Sequence, residues 1–74
     1  MNDKEILKTI GNNLRAERSR RGYSQEKLAE MAGLSYGQVI GTIERGEINT
    51  SILVMIKILK ALNLDFEKIY NLKN

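Results

Sequence analysis

A chain of 74 residues, with 12 Lys and Arg against 9 Asp and Glu for a formal net charge of +3, is enough for one small domain with a modest core. With 42% hydrophobic and 28% charged residues and no proline, it falls in the globular rather than the disordered range. The absence of cysteine and histidine excludes disulfides, thiolate chemistry, the usual zinc ligand sets and the commonest general base, so neither metal nor cofactor is expected. The opening MNDKEILKTIGNN lacks a leader pattern and the longest apolar run, ILVMI, is far below a membrane span; a cytoplasmic protein with no membrane partner is expected.

The first predicted helix runs from about Asp3 to Arg20, with Ile6, Leu7, Ile10 and Leu14 at helical spacing, and stops at Gly22 in a left-handed cap. Arg15, Arg18, Arg20 and Arg21 crowd its carboxyl end, a cluster that suits either phosphates or solvated cations at a helix terminus. Ser24 N-caps a second helix, QEKLAEMA, which Leu28, Ala29 and Ala32 line and Gly33 ends; Lys27 at the third position leaves only half a capping box. SYGQ supplies the full box, Ser35 with Gln38, and predicts a third helix starting near Tyr36. A fourth helix runs from about Thr50 or Ser51 to Leu62, and Asp65 caps a short fifth holding Phe66, Ile69 and Tyr70. Ile52, Leu53, Val54, Met55, Ile56, Ile58, Leu59 and Leu62 give the fourth helix more than one apolar stripe. Either the core wraps it fully, or part of it buries against a second copy.

SQEKLAEMAGLS, TIERGEINTS and KILKALNL, in that order, resemble the Cro and lambda-repressor type of helix-turn-helix proteins over about Ile10 to Tyr70. The resemblance implies an all-α, five-helix, lambda-repressor-like DNA-binding domain over 1–74, with the motif at about 24–45 and dimerisation through 50–74. It also implies a homodimer that sets a recognition helix into the major groove of double-stranded DNA, with the second helix crossing the backbone. It assigns a buried ion pair to Arg18 and Glu44, and matches Gln25 to a glutamine that meets phosphate or braces the recognition helix. Ala29 falls where the two helices of the motif cross closely, and Gly33 where the turn needs a positive backbone angle.

One spacing departs from the family: eleven steps separate Gly33 from Glu44, where relatives have ten. With a helix starting at Tyr36, Tyr36, Val39, Ile40 and Ile43 fall at about 0°, 300°, 40° and 340°, one inward face. Gln38, Gly41, Thr42 and Arg45 fall at about 200°, 140°, 240° and 180°, the outward face. The expected adjustment is a wider inward face or a bulge near Ile40 and Gly41, leaving a usable reading surface. On that surface Gln38 has the amide that adenine accepts, although the capping box competes for it, and Thr42 suits a thymine methyl or a phosphate. Tyr36 is expected in the core or at the DNA backbone, Gly37 and Gly41 let the helix lie deep in the groove, and Ser35, Asn49 and Arg45 suit phosphates. Leu53, Leu59, Phe66 and Tyr70 are the expected dimer contacts.

The function these features predict is a sequence-specific transcription regulator, of repressor or controller type, binding a palindromic operator as a homodimer. The rival is a helical module whose fourth helix holds a protein partner, as in the antitoxin half of a toxin-antitoxin pair. No enzyme is expected: Ser24, Ser35 and Tyr23 have no histidine to activate them, and Glu26, Glu30 and Glu44 lie on different faces or in the ion pair.

Overall fold

The structure, a computed structural model, describes residues 1–72, so the last two positions of the expected dimerisation segment lie outside it. Among the described residues there are five helices and no strand: α1 Asp3–Arg20, α2 Gln25–Met31, α3 Gln38–Glu44, α4 Ile52–Leu62 and α5 Phe66–Tyr70. No helix among them is long and apolar enough to cross a membrane.

Local chemistry sets most of the boundaries. Asn2 opens α1 with a reciprocal box: its side chain accepts from the Glu5 N–H at 2.8 Å, and Glu5 reaches back to the Asn2 N–H at 3.4 Å. Ser24 and Ser51 cap α2 and α4 by accepting from the N–H groups of Lys27 and Val54. Asp65 stands at the N-cap position of α5 in extended backbone, but its side chain makes no capping bond, contrary to the sequence expectation. The helices then stop on left-handed residues: Gly22, Gly33 and Gly46 after α1, α2 and α3, and Asn63 after α4.

The core draws one stripe from each helix. Leu14, Leu28, Ala29, Ile40, Ile43, Met55, Ile58, Leu62 and Ile69 are buried, with α1 packed on α3 and α5, and α2 on α3 and α4. Leu59 is 7% exposed and belongs to this core, so it is not available as a dimer contact; Leu53, 59% exposed, is turned the other way. Six residues apart, the two differ by about 240° around the helix, which separates the inner stripe from the outer one.

The third helix also departs from expectation. It begins at Gln38 rather than near Tyr36, its N-cap is Gly37, and no side-chain cap bond forms, so the SYGQ pattern does not close a capping box. From Gln38 to Glu44 it is an unbroken α-helix with no bulge at Ile40 or Gly41. The connection between α2 and α3 runs over 32–37 and lies outside the helix. Tyr36 therefore precedes the helix, the helical wheel does not apply to it, and it stands 71% exposed instead of joining the inward face.

Candidate nucleic-acid interface

The centre of the site is a buried carboxylate. Glu44, at the last residue of α3, is fully enclosed, and both its oxygens are engaged: Arg18 Nε donates to Oε2 at 2.6 Å and Arg18 Nη2 to Oε1 at 3.0 Å. Gln25 Nε2 donates to the same Oε1 at 3.1 Å, and Arg15 approaches it at 3.6 Å. Arg18 uses its remaining Nη1 on the Tyr23 carbonyl at 2.7 Å, which ties in the segment between α1 and α2. The hydrogen bonds to Glu44 raise the Arg18 guanidinium above its ordinary value, against the opposing effect of burial. Such a fork is rigid, because guanidinium and carboxylate planes match in two bonds. It fixes α1, α2 and α3 relative to one another.

Backbone contact reinforces that lock. A Cβ on Gly11 would stand 2.4 Å from the Ile43 carbonyl oxygen and 2.6 Å from that of Glu44, so α1 lies against the end of α3 with nothing between them. The arginines around α1 do not form one basic patch. Arg20 and Arg21 are both paired to Glu17, Arg21 at 2.8 Å, and those bonds hold the Glu17 carboxyl below its ordinary range.

What α2 and α3 present to solvent lies on one side. Gln25, Glu26, Gly37 and Gln38 line a single shallow groove between the amino ends of the two helices. Gln38 is exposed and, with no capping bond to make, its amide is not committed to the turn. Ser35 and Tyr36 extend the same edge from the connection, both exposed. Gly41 is not on the open face: it is buried beneath two polar side chains, with the Arg45 and Gln25 termini 3.0 to 3.5 Å from where its Cβ would be. Thr42 is half-buried, and its hydroxyl donates to the Val39 carbonyl one turn back at 2.9 Å, which engages the group that would meet a phosphate and leaves its methyl. Arg45 is exposed and paired with Glu47 at 2.9 Å; Asn49 is exposed.

Two acidic residues in this region were not singled out by sequence reasoning as part of the site. Glu26 follows Gln25 directly, and its place beside Gly37 depends on how α3 meets α2. Glu47 is two residues from Arg45, a spacing that brings no pair together on a helix; only the turn at Gly46 does so.

A sequence profile described as helix-turn-helix matches residues 14–69. The chain belongs to the helix-turn-helix family. This helix-turn-helix protein is 39% identical over 59 residues to an HTH-type transcriptional regulator of Bacillus subtilis, YgzD, covering 80% of this chain and 88% of that one. It is 41% identical over 65 residues to the control protein C.SmaI of Serratia marcescens, covering 88% and 76% respectively. Among solved structures, the restriction-modification controller protein C.AhdI from Aeromonas hydrophila superposes with a TM-score of 0.81 at 35% identity, over 85% of this chain and 94% of that one. The helix-turn-helix chain is thus a DNA-binding transcription regulator, and the partner-holding module is not favoured.

Proposed function

We propose that this regulator binds a two-fold symmetric operator as a homodimer, with α3 in the major groove and the amino end of α2 at the phosphate backbone. The observation that carries this reading is the groove shared by Gln25, Gly37 and Gln38, backed by the Arg18–Glu44 lock that holds α2 and α3 at a fixed angle. Gln38 reads a base edge, for which an amide bonding adenine contributes about 1 to 3 kcal/mol of discrimination. Ser35 and Tyr36 meet the backbone ahead of the helix, Gln25 braces Glu44, Gly37 keeps the entry of the helix low, and Gly41 makes room for the Arg45 side chain that reaches the DNA across it. Thr42 contributes at most its methyl group, since its hydroxyl is engaged.

The second copy docks on the outer face of α4 and α5. Ile52, Leu53 and Ile56 are exposed on α4, and Phe66, 57% exposed and stacked on Tyr70 at 4.2 Å, continues the patch from α5. Exposed apolar residues gathered in this way mark contact surfaces. The whole of 1–74 is read as one domain acting without catalysis or cofactor, in the cytoplasm where its DNA lies. The likeness to a control protein and a restriction-modification controller protein favours the controller type over other regulators.

Selection from random duplexes at about 0.15 M salt, where the screening length is about 8 Å, tests the reading directly. A two-fold symmetric consensus is expected; recovery of no consensus would refute sequence-specific recognition. Leu53→Glu is expected to give a folded monomer with weakened operator binding, and light scattering that still reports a dimer would remove Leu53 from the interface.

A further inference from the structure

Arg45 and Glu47 are held in a geometry that depends on three features of the chain. Gly46, at φ +71°, closes the end of α3 with its own N–H on the Ile43 carbonyl and the Glu47 N–H on the Thr42 carbonyl, each at 3.0 Å. That turn folds Glu47 back alongside the helix, where its Oε2 accepts from Arg45 Nε at 2.9 Å. Gripped at Nε, the guanidinium lies back across α3: Nη1 is 3.0 Å from the position a Cβ on Gly41 would take, and the Gln25 amide is beside it. Glycine weakens a helix interior relative to alanine. At position 41 the atoms nearest the freed space belong to these two polar side chains. The charges facing Glu47 are Arg45 and, from α1, Lys8.

An exposed arginine on a flexible stem binds any phosphate it meets and adds to the counterion release that drives non-specific binding. A carboxylate bonded to it removes that contribution and fixes where the remaining N–H groups point. We propose that Glu47 is a positioning residue that sets sequence specificity: it holds the Arg45 guanidinium across Gly41 on the DNA-facing side of α3, and it cancels the charge that would otherwise bind arbitrary duplex. This rests on the DNA-binding reading above and adds to it the residue that restrains non-specific affinity.

The test is fluorescence anisotropy from about 0.05 to 0.2 M salt, a range over which each phosphate contact changes affinity about 3.5-fold. Wild type, Glu47→Gln, Glu47→Asp and Gly41→Ala are compared on the selected duplex and on a shuffled duplex of the same composition. Glu47→Gln is expected to bind the shuffled duplex tighter at low salt, with a log-log slope steeper by about 0.9 and hence a gain about 3.5 times larger at 0.05 M than at 0.2 M, so that the ratio between the two duplexes falls. Glu47→Asp keeps the charge and should retain the wild-type slope. Gly41→Ala, which pushes Arg45 off the helix, should weaken the selected duplex and leave the shuffled one unchanged. A Glu47→Gln protein with the wild-type slope and ratio would overturn the proposal, as would equal loss on both duplexes. If wild type selects no site, the operator reading fails instead, and the slope on the shuffled duplex still decides the role of Glu47.

Discussion

The two ends of α3 are built differently. At the carboxyl end, Glu44 is buried under Arg18 and Gln25, Gly11 brings the α1 backbone into contact, and Gly46 closes the helix on short bonds. At the amino end there is no side-chain cap; the Val39 and Ile40 N–H groups reach the Tyr36 and Gly37 carbonyls at 3.4 and 3.3 Å, and the preceding residues are exposed. Recognition helices contact base edges chiefly with their amino-terminal residues. In the proposed reading, α3 is anchored behind and left adjustable in front, so that rigidity sets where the helix enters the groove and the first turn adapts to what it meets.

Breaking the anchored end should have the largest effect. Glu44→Ala leaves Arg18 nearly buried without its counter-charge and should cost about 3 to 5 kcal/mol in urea denaturation, enough to unfold a domain of this size. Gly11→Ala should cost about 2 to 3 kcal/mol, since the new methyl meets backbone oxygens that cannot move aside as a side chain would. Acid probes α1, the helix that holds this end. Glu17 is depressed in the folded state chiefly by its bond to Arg21, so its stabilisation is fully present above the ordinary carboxyl value of 4.5 and is lost as pH falls through the lower folded value. Melting temperature followed downward from pH 5 should fall in wild type and fall less in Glu17→Gln. At the adjustable end, Tyr36→Ala should change stability by no more than about 0.5 kcal/mol while weakening operator binding, because the side chain is outside the core.

The fold was legible where the signals were local. Gly22 and Gly33 mark the ends of α1 and α2, Ser24 and the pattern around Ser51 mark the starts of α2 and α4, and the aliphatic spacing of Leu14, Leu28 and Ile58 identifies core. Errors came where a local pattern met a tertiary constraint. SYGQ has the residues of a capping box, yet α3 begins only at Gln38 with Gly37 as its N-cap, so Ser35 stands too far ahead of the helix to cap it. Gly41 falls on the outward side of the wheel, but a wheel cannot show that Gln25 and Arg45 close over it. Leu59 and Leu53 read alike as surplus apolar residues on α4, and which of their two phases around the helix faces the core is set by how α4 packs on α2.

Asn13 Nδ2 on α1 donates to the Ile69 carbonyl at 2.8 Å and the Asn71 carbonyl at 3.3 Å, two residues along from the Gly11 contact with α3. A single helix thus grips both the segment proposed to join two copies and the segment proposed to read DNA. In a dimer, α1 would act as a ruler. Inserting one base pair between half-sites turns one of them by about 35° and moves it by about 3.4 Å, and a ruler fastened at both points has no joint with which to follow.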